Sequence, residues 1–157
     1  MLDIVQSDQS LPNYATVAII GGGIAGVAAA IFLSKAGIPS VLFEKGRIAA
    51  EQSSRNWGWI RKQGRDVKEL PLMIESERLW REIVEEVDED IGYRVGGVTY
   101  LAQTEAELAL RESWIVNATD FGLDSRMLST DEVHALLGIN TPDCNIRGAL
   151  YTPSDAY

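Results

Sequence analysis

Val17-Ala-Ile-Ile-Gly-Gly-Gly-Ile-Ala-Gly-Val-Ala-Ala-Ala30, answered by Ser40-Val-Leu-Phe-Glu44, is the stretch on which the fold turns. Val17 to Ile20 is an apolar run of strand length, which predicts a strand covered on both faces. Ile24, Val27, Ala28 and Ile31 recur at helical spacing, and Gly37 before Ile38-Pro39 is a helix stop. The succession is therefore strand, glycine turn, helix, strand, with an acid at the end of the second strand. A unit of this kind holds the ADP half of a dinucleotide.

Each residue type in the turn has a physical reason. Gly21 permits the sharp exit from the first strand, and Gly23 lacks the Cβ that would keep a pyrophosphate from the backbone. Gly26 lets the helix lie close to the sheet. Ile24 and Ala25 stand in the first helical turn, where unpaired N–H groups and the positive end of the dipole face an anion. Glu44, 18 residues after Gly26, is placed to accept hydrogen bonds from ribose hydroxyls. A carboxylate there would repel a 2′-phosphate, so the expected ligand is an unphosphorylated adenosine cofactor.

Outward from this unit the chain is less regular. Residues 1–14 read as a polar lead-in without a basic region or leader-like apolar stretch. Residues 15–66 form the predicted cofactor unit and its following loop. Lys45 to Lys68 carries seven basic and two acidic residues, a local +5 in a chain of net charge −9. That balance suits one anion better than nucleic acid, which wants a broad basic face. Residues 67–147 suggest part of a mixed α+β unit. Val67 to about Asp90 is helical, with Met73, Trp80, Ile83, Val84 and Val87 on one face and the glutamates, Glu77 among them, mostly solvated. Tyr93 to Ala102 reads as a strand interrupted by Gly96-Gly97. Thr104 to Glu107 and Ser129 to Glu132 have capping-box spacing, opening helices that end near Gly122 and Gly138. His134 is expected on the second helix surface. Residues 148–157 supply a last strand and a turn.

No apolar run reaches membrane-span length. Cys144 is the only cysteine, so no internal disulfide forms, which suits the cytoplasm. His134, the only histidine, has no cluster of metal ligands near it in sequence. Only two parallel strands are visible and no further βα units follow. The chain thus reads as the N-terminal part of something longer.

Glu51-Gln-Ser-Ser-Arg-Asn-Trp-Gly-Trp59, following the dinucleotide unit, resembles the FAD-dependent D-amino-acid oxidase superfamily, which includes glycine and sarcosine oxidases, D-amino-acid dehydrogenases and γ-glutamylputrescine-type oxidases. The final Gly148-Ala-Leu-Tyr-Thr-Pro-Ser-Asp-Ala-Tyr157 resembles the stretch where such chains return from the substrate domain to the FAD domain. The resemblance implies an α/β fold, with a Rossmann-type βαβ FAD-binding unit and part of a mixed substrate domain. It implies FAD as cofactor and a small-molecule amine or amino acid as substrate, oxidised at its C–N bond to an imine. It places Gly21, Gly23, Ile24, Ala25 and Gly26 at the pyrophosphate and Glu44 at the ribose. Lys45 or Arg47 would lie beside the adenine end, and Ser53, Ser54, Asn56 and Gly58 would lead toward the flavin ring. Trp57 and Trp59 would either flank the flavin or fill the core. The resemblance assigns no catalytic residue here, because the segment that contacts substrate lies later in such chains or in a partner chain. A nicotinamide-dependent dehydrogenase and a non-catalytic nucleotide-binding subunit are the alternative readings.

Overall fold

The computed structural model describes residues 5–138 and 145–157; Cys144 lies outside them. The chain divides into two compact units, residues 1–57 and 58–157. Residues 58–66, expected with the cofactor unit, belong to the second. The reason is a short antiparallel pairing: Ile60 N–H donates to the Ala156 carbonyl at 2.8 Å, and Ala156 N–H returns the bond at 2.8 Å.

The first unit is a βαβ motif. Strand β1 (Val17–Ile20) leads through the glycine turn into helix α1 (Ile24–Lys35), and β2 (Ser40–Phe43) pairs with β1 in parallel, Val17 opposite Ser40 and Ile20 opposite Phe43. Gly37, at φ +68°, ends the helix in the left-handed conformation that only glycine adopts freely. Ile20 is 82 % exposed, against the expectation of a strand covered on both faces. Two strands and one helix, apolar nearly all round, supply too few layers to cover it.

The second unit is built on a three-stranded antiparallel sheet in the order β3-β5-β4. Its elements are α2 (Leu70–Glu86), β3 (Val98–Ala102), α3 (Glu105–Asp120), β4 (Arg126–Leu128), α4 (Thr130–Leu137) and β5 (Gly148–Thr152). The central strand β5 comes from the expected return segment, and its Ala149 and Leu150 are buried. Leu128, Val133, Ile146 and Ala149 form the core cluster, with Leu101 and Tyr151 packed against it. Both capping boxes form. Thr104 and Ser129 accept from the N3 amides, while Glu107 and Glu132 reach back to the cap amides. Strand β4 is three residues long, too short for a periodic signal.

The glycine pair before β3 is a close approach. The strand begins at Val98, not Tyr93, although Val95 still bridges Ala156. Gly97 has φ +76°, and a Cβ there would stand 2.4 Å from the Tyr151 ring. Gly97→Ala therefore combines a strained φ with a clash against a packed aromatic. The expected loss is about 2–3 kcal/mol, read as a lower denaturant midpoint with an unchanged slope.

Two expectations for side chains change. Glu77 is buried rather than solvated, and the buried Lys62 ammonium is its partner. His134 is half-buried, with its Nε2 shielded from solvent.

Candidate cofactor site and a buried charge network

Unit one brings the glycine turn, the start of α1, the end of β2 and the following loop together. Gly21, at φ +102°, closes the turn and donates its N–H to the Phe43 carbonyl at 2.8 Å. A Cβ on Gly26 would lie 1.9 Å from the Gly21 carbonyl oxygen and 3.3 Å from Ile19. Gly26 is thus required by the contact between helix and turn. Gly23 is the N-cap of α1 and has no side chain to cap it. The hydroxyl of Ser53 supplies that function from the loop, accepting the Ile24 N–H at 2.8 Å. The Ala25 and Gly26 amides follow in the same first turn, where an anion is favoured by the orphan donors and the helix dipole.

Glu44 has a structural task that the sequence does not disclose. One oxygen accepts the Gly22 N–H and the other the Gly46 N–H, each at 2.7 Å. The carboxylate ties the glycine turn to the end of β2. These two amides, Gly22 before Gly46, hold its pKa below the ordinary value of 4.5. A depressed folded pKa means that this contribution is present above the unfolded value and lost as pH falls through the folded one. The expected result is a Glu44 carboxyl titration with its midpoint below 4.5, with the Gly22 and Gly46 amide protons shifting in step. A midpoint at or above 4.5 in carbon-detected NMR would contradict the tie.

The remaining predicted residues separate by role. A cavity of about 900 Å³ opens along β2, lined by residues 5–12 and 40–44 with Gly46, Arg47 and Ile48. Glu44 and Arg47 line it, and Lys45 does not. In the loop, the 3₁₀ turn Gln52–Ser54 is held by Ser54, whose hydroxyl donates to the Glu51 carbonyl at 3.1 Å. Asn56 donates to the Ser53 carbonyl at 2.7 Å. Ser53 therefore meets the helix start, whereas Ser54 and Asn56 shape the loop. Gly58, at φ +72°, is the first residue of the second unit. Trp57 is 83 % exposed and Trp59 45 %, so neither is a core aromatic.

The basic island does not act as one patch. Arg55 pairs with Glu51 at 3.2 Å, and Arg65 with Glu69 at 3.9 Å. Lys62 is buried between Glu77 and Asp155. Asp155, fully buried, accepts the Lys62 N–H at 2.8 Å and the Gln63 N–H at 3.1 Å. Gln63 donates to the Leu150 carbonyl at 3.2 Å and accepts from Thr152 at 2.7 Å. Every member of this network has its partners, as burial demands. Sequence reasoning missed it, since Lys62 and Asp155 are 93 positions apart.

The family model described as FAD dependent oxidoreductase matches residues 16–157. This chain belongs to that family. It is 32 % identical over 151 residues to the mitochondrial pyruvate dehydrogenase phosphatase regulatory subunit of Mus musculus, covering 94 % of this chain and 17 % of that protein. It is 34 % identical over 145 residues to sarcosine oxidase subunit beta of Arthrobacter sp, covering 87 % and 35 %. The structure of L-amino acid deaminase from Proteus myxofaciens in complex with anthranilate superposes with a TM-score of 0.88 at 29 % identity, covering 99 % of this chain and 35 % of that one. The chain spans about a third or less of each. No helix among the described residues is long and apolar enough to cross a membrane.

Proposed function

We propose that this chain is the N-terminal part of an FAD-dependent oxidoreductase acting on the C–N bond of an amino acid or amine. The observation that carries the reading is the helix start: Gly23 caps α1 without a side chain and the Ser53 hydroxyl comes from the loop to the Ile24 amide, beside which a diphosphate would lie. Gly21, Gly23, Ile24, Ala25 and Gly26 would hold the pyrophosphate. Glu44 would accept the ribose hydroxyls with the second lone pair on each oxygen, the first being used by Gly22 and Gly46. Arg47 or Lys45 would stand at the adenine end. Ser53, Ser54, Asn56 and Gly58 would form the path toward the ring. Bound there, FAD would supply the hydride acceptor for oxidation of the carbon beside the amine, with an imine as the product for water to hydrolyse. The single cysteine suits a reducing cytoplasmic compartment.

A second reading has its own support. A relative of this chain is named a regulatory subunit, so cofactor binding by itself does not establish turnover. Purified chain with added FAD is expected to retain the flavin, seen as absorbance at about 450 nm, and to bind NAD no better than buffer. Without the later segment or a partner chain, it is expected to leave the flavin oxidised in the presence of sarcosine, glycine or D-amino acids. Joined to that segment, it should be reduced at about 1 per second or faster. Colourless protein would overturn the FAD assignment, and flavin retention without reduction in the completed protein would favour the regulatory reading.

A further inference from the structure

Asp155-Ala156-Tyr157 is hydrogen-bonded along both of its edges. On one side Ile60 and Ala156 exchange backbone bonds, each of 2.8 Å. The Asp155 carboxylate adds the Lys62 amide at 2.8 Å and the Gln63 amide at 3.1 Å. On the other side Gly97 N–H donates to the Asp155 carbonyl at 2.9 Å, and Arg94 and Tyr157 exchange bonds of 2.8 and 2.9 Å. Ile60 and Val95 both face Ala156 in antiparallel register. Among the described residues no backbone hydrogen bond joins residues 60–63 to residues 94–97 directly. The short segment is therefore the middle strand of a small ribbon, and its two flanks meet only through it.

The middle is buried and the flanks are not. Asp155 and Ala156 are fully buried, whereas Arg94, Val95 and Gly96 are exposed. The Tyr157 ring closes over Gly96, where a Cβ would stand 2.7 Å from it. Loss of either flank opens the buried Asp155 to water on that side and weakens the bonds it makes on the other. Flanks this short do not hold an extended conformation alone. A turn, closed by Asp155 N–H on the Thr152 carbonyl at 3.3 Å, separates the segment from β5. The segment is thus free to leave while β5 stays paired.

We infer that Asp155-Ala156-Tyr157 is a two-sided clasp that opens and closes as one unit. Residues 60–63, just past the start of the second unit, and residues 94–97, which lead into β3, are ordered or released together. Whatever binds and orders one flank orders the other, since the coupling is reciprocal. The inference goes beyond the proposed function and does not depend on it, because every residue involved lies in the second unit and no flavin is needed.

The test is native-state hydrogen exchange of the full 157-residue chain, followed by NMR at low denaturant. The amides of Ile60, Lys62, Gln63, Arg94, Gly97 and Ala156 are expected to share one protection factor and one shallow denaturant dependence. The slowest amides of β3 and β5 should be protected at least about tenfold more, with a steeper dependence. Tyr157→Ala disturbs the clasp on the Gly96 side alone. It should speed exchange at Ile60, Lys62 and Gln63 by the same factor as at Arg94 and Gly97, about fivefold or more. Asp155→Asn disturbs the other side and should be felt equally at Arg94 and Gly97. An effect confined to the disturbed flank, or no change on either flank in both variants, would overturn the clasp. So would wild-type protection equal to that of β3 and β5, which would mean that the segment opens only with the whole unit. If Asp155→Asn fails to fold, the wild-type pattern and Tyr157→Ala decide.

Discussion

Asp155→Ala is expected to remove about 3–5 kcal/mol from the second unit, a large share of the roughly 5–15 kcal/mol that holds a domain of this size together. The carboxylate is fully buried and accepts two backbone amides, those of Lys62 and Gln63. Alanine leaves both donors buried without acceptors, each costing about 1–3 kcal/mol. It also strips the buried Lys62 ammonium of one of its two carboxylates, leaving Glu77, which is shared with Arg81. Chemical denaturation followed through Trp80 and Trp114 measures the loss. Asp155→Asn keeps one acceptor oxygen and should recover part of it. A loss below about 1 kcal/mol in the alanine variant would mean that water replaces the carboxylate, and that the pairing of residues 60–63 with 155–156 stands by its backbone bonds alone.

Gly26→Ala has the next largest expected effect, and its sign runs against helix propensity. Alanine inside a helix is ordinarily favoured over glycine by about 1 kcal/mol. At this position the added carbon would lie 1.9 Å from the Gly21 carbonyl oxygen, and the obstacle is backbone that cannot swing aside. Either α1 lifts from β1 or the glycine turn opens, and both disperse the amides at the helix start. The expected outcome is a melting temperature at least about 5 °C lower for the first unit, with FAD retention falling by about a hundredfold or more. Ala30→Gly, later in the same helix, costs helix stability of about 1 kcal/mol but leaves the turn intact. It should preserve flavin binding. Equal loss of flavin in both variants would show that general weakening of α1, not the turn, governs retention.

The candidate site was legible unevenly, and the pattern follows from distance along the chain. Gly21, Gly23 and Gly26 were readable because their constraints are local: a positive φ, a helix cap and a helix–strand contact arise within six residues. The two capping boxes and the helix stops at Gly37, Gly122 and Gly138 were readable for the same reason. The sequence singles out Glu44 by its place after β2 but does not disclose its two amide bonds, because the partner Gly22 is 22 positions away. Ser53 is singled out by resemblance, while its contact with the Ile24 amide, 29 positions distant, belongs to the fold.

By itself, then, the sequence determined the βαβ unit, its glycine turn and the caps of α3 and α4, since short-range sterics and backbone hydrogen bonds leave few alternatives. Tertiary structure alone decided the rest. It placed Lys62, Glu77 and Asp155 in one buried network, though each type reads as surface by charge. It also made residues 148–152 the central strand of the second sheet and set residues 155–157 between residues 60–63 and 94–97. The physical reason is that a charge is buried only where partners from distant segments arrive together, and no local pattern records that meeting.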